Sequence, residues 1–365
     1  MIRDIALSPP DDMGWDNVMS GILALDDEDI LTDDTLFLAL SEAYSGLNRS
    51  GLEHITQKGG DLDMIRDDEV AVLLNGGDHK VVFLTFPDTS DSISLNLSAG
   101  PYNLGVNPSE DRIAVALADG SVRIINLLDG KELDSLQLHH RDARDVLWLD
   151  NHRIVSVGND RRVVCWDLQR GDSLWNRRVH EKNIKSIRKS SDAKYLVTTS
   201  NDGTAAVLDT DGNTVYRYSQ SDNYVNSAAI SPDNSFVVSV SGDGWVDKWE
   251  LKTGKTLFHD SIEVGLASVD ISPDGRHILV GGRRGLRLLD SKNGKQLARF
   301  PNISYSTPFW SCRFLKDGRV AGVNETDLFT YRVLLGQDLI DAARRHLKHM
   351  KKTKREGRSV NEKQL

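Results

Sequence analysis

The chain has 365 residues, 39% of them hydrophobic and 27% charged, with a formal net charge of −9. That is ample material for a large core, and the acidic balance argues against nucleic acid as main partner, because a phosphate backbone needs a basic surface. No run of about 18 apolar residues could span a bilayer, the opening MIRDIALSPPDDM lacks the basic-then-apolar pattern of a leader, and two isolated cysteines, Cys165 and Cys312, suit a reducing cytoplasm.

In chain order, residues 2–8 (IRDIALS) read as a strand. Residues 21–40 (GILALDDEDILTDDTLFLAL) lay onto 145–168 (DVLWLDNHRIVSVGNDRRVVCWDL) as a further strand-rich unit with a shortened turn. Units with a clearer pattern begin near residues 61, 103, 144, 185, 226, 267 and 310. Their glycine turns fall at Gly130, Gly171, Gly212, Gly254 and Gly294, and a second, independent marker falls at Asp78, Asp119, Asp160, Asp202 and Asp243. Both recur every 40 to 42 residues. Three turns between short Val-, Ile- and Thr-rich runs make four strands per unit, and strands apolar on both faces must stack between neighbouring sheets. The expected fold is therefore all-β: a closed ring of four-stranded antiparallel blades over residues 1–335. Eight blades are expected, with residues 2–8 completing the last and removing its open edge. Seven blades with the first 60 residues as an irregular cap is the alternative.

These repeats resemble the WD-repeat β-propeller family. The best unit carries the family's tetrad at His140, Ser156, Asp160 and Trp166. The next keeps His180, Thr198 and Asp202, with Leu208 in place of the Trp, and the one after keeps Ser239, Asp243 and Trp249, with Ser221 at the His position. The resemblance implies a buried hydrogen-bonded network that pins one turn to one loop in each blade. It also places the Asp turns on the narrower face, beside the central channel. There the sequence departs from a plain Asp-Gly turn, offering His79, Arg161, Arg162, Asn201, Trp245, Arg283 and Arg284 as candidate partner-binding residues; Arg and Trp are the types that anchor interfaces.

Chemistry finds little footing. TGKT (253–256) looks like the end of a phosphate-binding loop, but Trp249 stands where that loop needs glycine, and DGKEL and NGKQL fill the same slot elsewhere. The His140–Ser156–Asp160 set reads as structure, not as a catalytic triad. His79, His139 and His152 lack metal-ligand spacing, and Asp26, Asp27 and Asp29 lack the glycine and terminal Glu of a calcium loop. The expectation is a non-enzymatic scaffold or sensor without cofactor or metal, binding a protein or peptide within a multiprotein complex. A propeller enzyme or small-ligand binder using the channel is the first alternative, and weak nucleic-acid binding through the tail is the second.

The tail is residues 336–365. Leu339, Ala343, Leu347 and Met350 form an amphipathic helical stripe, and DLIDAARRHL resembles the closing segment of bacterial sensor propellers. Residues 338–358 hold eight basic and three acidic side chains, while residues 1–70 hold 17 acidic and four basic. Helix 338–350 is expected to dock near the ring closure, with its cations near Asp26, Asp27, Asp33 and Asp34, and residues 351–365 are expected to stay disordered.

Overall fold

A computed structural model describes residues 15–32, 34–47, 59–65, 70–75, 79–85, 93–219, 223–262, 264–301, 308–324 and 328–361. Within them lie six four-stranded antiparallel sheets and one of three strands, each ordered as its strands occur in the chain. The sheets open with strands Gly59–Ile65, Pro101–Val106, Ala143–Trp148, Ile184–Lys189, Val225–Ile230, Ser268–Ile271 and Ser311–Phe314. These are the seven units that the repeat period predicts from residue 61 onward.

Each opening strand packs against the opening strand of the next sheet, and Gly59–Ile65 also lies against Ser311–Phe314 and Arg319–Val323 of the last. Burial grades across each sheet as such stacking requires. Phe236–Ser241, a second strand, is buried at every position, whereas Thr256–Ser261, the fourth strand of the same sheet, is mostly exposed. Apolar side chains meet between neighbours: Val155, Val157 and Cys165 of the third sheet pack with Ile187, Leu196 and Leu208 of the fourth. Burying one Val or Leu fully contributes about 1.5–3 kcal/mol, so every inter-sheet seam is a substantial source of stability.

The expected N-terminal blade is overturned. Residues 15–47 form three helices, α1 (Trp15–Ile22), α2 (Asp27–Thr32) and α3 (Asp34–Leu47). Leu36, Ala39, Leu40 and Ala43 follow helical spacing and are buried, and Asp27, Glu28 and Asp29 occupy the first turn of α2, where they complement the helix dipole. Residues 2–8 lie outside the described residues.

The tail forms α4 (Gln337–Asn361), which runs past residue 350 and so overturns the expected disorder from 351 onward. Leu339, Ile340 and Ala343 pack into one cluster with Met19, Ile22, Ile30 and Leu40, so the two ends of the chain build a single helical unit. Arg344 donates to both oxygens of Asp27, one at 2.8 Å, and Gln337 donates at 3.0 Å. Those bonds, Arg344's first, hold the Asp27 carboxyl below its usual range. The unit rests on strand Gln296–Pro301, the outer strand of the sixth sheet: α3 packs along it, and Ser41 Oγ lies 3.2 Å from Arg299 N, from which it accepts, and 3.3 Å from Arg299 O. The helices thus cover a sheet edge that would otherwise be open to pairing.

Candidate interaction surface

In the second to fifth sheets the turn between second and third strands returns to the loop that leads into the first strand. Ala118 N donates to Gly100 O, Asn159 N to Asp142 O, Asn201 N to Asn183 O and Gly242 N to Tyr224 O, all at 2.9–3.1 Å. This repeated bond gathers the Asp turns at the end of the stack where the opening strands begin.

Side chains reinforce it. In the third sheet His139 Nδ1 lies 2.9 Å from Asp160 Oδ1 and Nε2 lies 2.9 Å from Ser156 Oγ. The predicted His140 is therefore corrected by one residue: His140 is exposed and lends only its backbone N–H, 3.2 Å from Asp160 Oδ2. A side chain at Gly158 would put its Cβ 2.6 Å from His139 Nδ1, so glycine is what admits the ring. Trp166 is corrected as well, since its indole N–H is buried and has no acceptor among the described residues.

The fourth sheet repeats the clamp. His180 Nδ1 lies 3.1 Å from Asp202 and Nε2 lies 2.9 Å from Thr198 Oγ1, with Leu208 buried beside them. Burial depresses the His180 pKa; burial also works to raise that of Asp202, but the bonds from His180, Thr204 and Glu181 N together hold Asp202 well below the carboxylate range. The fifth sheet keeps the other half of the tetrad: Trp249 Nε1 donates to Ser239 Oγ at 3.2 Å, and Ser241 Oγ donates to Asp243. Ser221 lies outside the described residues.

On this clamped frame sit the candidate contacts. Gly120, Gly203 and Gly244 follow their turn Asp with φ of +84°, +81° and +102°, the left-handed region that glycine enters freely. Arg161 and His79 take the same position at φ +72° and +54°. A Cβ there costs roughly 1–2 kcal/mol. Arg283 and Arg284 are exposed at the tip of a two-residue hairpin closed by Gly282 and Gly285. Trp245 stacks on His259 at 4.0 Å between centroids, and His259 Nδ1 donates to the buried Asp247, so the indole is held in place before any partner arrives. Two candidates are more structural than expected. Arg162 donates to Asn176 at 2.8 Å, and Asn201 has a buried, unbonded Oδ1 while its N–H serves the turn.

The same end holds residues that the sequence reading missed. Tyr102, Arg144 and Lys185 each stand second in an opening strand, so they recur at the repeat period. Arg144 Cζ lies 3.8 Å from the Tyr102 ring centroid, and Lys185 Nζ lies 5.3 Å from that of Tyr224. Trp310, at the entry to the seventh sheet, is 45% exposed.

Deeper in, the opening strands line a cavity of about 270 Å³ that includes Arg188, Lys189, Asp270 and Arg313. Asp270 of that lining, and Asp145, which binds the lining Arg188, are engaged across the seams. Asp145 accepts from Ile187 N and Arg188 Nη1, both at 2.8 Å, and Asp270 accepts from Phe314 N at 2.8 Å. Burial pushes both thiols, Cys165 and Cys312, up to about 12. No group of three or more potential metal ligands occurs among the described residues, and no helix there is long and apolar enough to cross a membrane.

Stacked antiparallel sheets clamped turn to loop are the architecture of a β-propeller protein. Comparison with known sequences narrows the class. The chain is 26% identical to "Transcription factor unc-37" of Caenorhabditis elegans over 57% of this chain and 34% of that protein. It is 29% identical to "Eukaryotic translation initiation factor 3 subunit I" of Kluyveromyces lactis over 38% and 44%. It is 22% identical to "WD repeat-containing protein 55" of Arabidopsis thaliana over 54% and 58%. Each alignment covers less than two thirds of the relative. A family model described as "Outer membrane protein assembly factor BamB" matches residues 98–187 and 118–231. In its period and its His–Ser/Thr–Asp clamps, the chain is similar to these WD-repeat β-propeller proteins.

Proposed function

We propose that this chain is a non-enzymatic scaffold: a closed seven-bladed propeller whose narrow face, the end bearing the Asp turns, binds a protein or peptide segment of a cytoplasmic multiprotein complex. The observation that carries this reading is Arg161, a bulky cation held in a left-handed turn where three sister blades use glycine. Strain of that kind, kept in a partly exposed turn of a clamped frame, is a mark of function. The exposed Arg283–Arg284 tip and the prearranged Trp245 supply further anchors, and a pre-ordered aromatic loses little entropy on binding. Asp145 and Asp270 are bound to backbone amides of neighbouring sheets, which supports a structural over a catalytic role for the channel acids.

Contacts between the first and last sheets support ring closure. Residues 2–8 are proposed as the fourth strand of the seventh blade, with the ring spanning 59–335 and the helices of both termini forming a separate unit. One of the relatives is by name a subunit of an initiation factor, which agrees with a place in a complex. The test is quantitative capture of partners from native lysate by wild type and by a variant with Arg161, Arg283, Arg284 and Trp245 all changed to Ala. Loss of partners at unchanged stability supports the reading, and retention of every partner at wild-type affinity rejects it.

A further inference from the structure

Arg144 and Lys185 stand on adjacent opening strands at the mouth of the ring, both half-buried. Each cation is laid against an aromatic ring, Arg144 on Tyr102 and Lys185 facing Tyr224, and neither forms an ion pair with a carboxylate among the described residues. Asp142, on the loop before Arg144, is occupied by the Tyr102 hydroxyl, which donates to it at 2.9 Å. Arg144 Nε is buried without an acceptor among the described residues. Burial, and after it the charge of Arg144, makes the Lys185 ammonium easier to deprotonate than an ordinary lysine. Two cations thus stand on neighbouring strands with tyrosines against them and, among the described residues, a guanidinium N–H without an acceptor. Among the described residues such an arrangement is short of one negative charge, and a buried N–H left unbonded is costly.

We propose that Arg144 and Lys185, flanked by Tyr102 and Tyr224, bind a carboxylate side chain of an acidic peptide segment laid across the mouth of the ring. The inference rests on the reading of this end as the interaction surface and names the chemistry of its partner. A carboxylate matches both donors: the guanidinium can present two parallel N–H groups and the ammonium a third. The exposed Arg141, Arg283 and Arg284 and the half-buried Arg161 at the same end add cationic field in a chain whose overall charge is −9, and so draw an acidic segment to this surface. Stacked aromatics and cations also suit single-stranded nucleic acid. Two inward cations in a net-acidic chain fit one carboxylate better than a phosphate polymer, whose affinity grows with the number of phosphates neutralised.

The experiment uses the full chain and three labelled probes, hexaglutamate, hexaglutamine and an oligothymidylate of similar length, followed by fluorescence polarisation. Hexaglutamate is expected to bind and hexaglutamine to fail. Arg144→Gln and Lys185→Gln are each expected to weaken hexaglutamate binding by about tenfold or more, Arg144→Lys by less, and Arg276→Gln, in a turn at the opposite ends of the strands, not at all. In the unmutated protein, hexaglutamate is expected to slow acylation of Lys185 read by mass spectrometry, a result that needs no variant to fold. Equal binding by wild type and both Gln variants, no binding by wild type, or unaltered Lys185 acylation overturns the proposal. Tighter binding of oligothymidylate, lost in the same variants, overturns it in favour of nucleic acid. Because the capture experiment alters Arg161, Arg283, Arg284 and Trp245 and leaves Arg144 and Lys185 intact, failure here leaves the scaffold reading to be judged on its own result.

Discussion

His139 and Trp166 sit at two ends of an expected chain of hydrogen bonds, and only the histidine end is tied. Removing the ring strands Asp160 and Ser156 together, so His139→Ala should cost about 3 kcal/mol in urea unfolding, while His140→Ala should fall within about 0.5 kcal/mol of wild type. The opposite ranking would restore the His140 assignment. The indoles should split in the same way: Trp166→Phe gives up no bond, whereas Trp249→Phe loses the donor to Ser239 and should cost about 1 kcal/mol more. Protonation adds a third residue-scale expectation. Burial lowers the folded pKa of His180, so the unfolded chain binds more protons as pH falls below the ordinary histidine value of about 6.5. Stability is then complete above that pH and declines on acidification. Asp160 and Asp202, whose folded pKa values are depressed, add a second loss as pH drops below about 4. The urea midpoint should fall between pH 7.5 and 5.5, and fall less in His180→Gln; an equal fall in both would remove His180 as the cause. The one-residue slip at this histidine has a physical origin. Two histidines are adjacent, and the register between the first and second strands shifts at Val157/Gly158, so counting back from Asp160 does not tell which ring turns inward. Burial decides that, and burial is a tertiary property.

At the scale of elements, strands from Pro101 onward were legible because two independent turn markers repeat at one period and each run matches a buried strand. The N-terminal helices were misread because acidic turns split GILALDDEDILTDDTLFLAL into short apolar runs that mimic strands, although Leu36, Leu40 and Ala43 already kept helical spacing. Their partner, α4, lies some 300 residues further along, so no local window shows what buries them. Since Leu339, Ile340 and Ala343 close that cluster, deleting residues 337–365 should expose α1–α3. Two fully buried aliphatic side chains alone amount to about 3–6 kcal/mol. Hydrogen exchange should accelerate across residues 15–47 and stay near wild type in the strands between Ala143 and Glu250. Uniform acceleration throughout would mean that the helical unit is part of the stacked sheets' own core. The aromatic–cation mouth was legible in principle, since Tyr102, Arg144 and Lys185 follow the repeat, but a half-buried second position in a strand has no compositional signature.

For the whole molecule, the six apolar clusters between successive sheets and the contact of the first sheet with the last make a rigid body that presents one end through strained and prearranged side chains. If Arg161 is strained for binding, then Arg161→Gly should leave stability equal or raise it by up to about 1 kcal/mol, relief of the left-handed Cβ being partly offset by glycine's entropy, while partner capture declines. A variant both less stable and fully competent in capture would assign Arg161 to the framework. The most direct test of the central claim is the hydrogen-exchange footprint of the chain in complex with its captured partner. The account predicts protection at residues 139–144, 158–162, 180–185, 242–245 and 282–285, all at the Asp-turn end. Protection confined to the opposite turns around Ser109, Asp150, Asp192, Asp233 and Asp274, or to the outer strands, would contradict it.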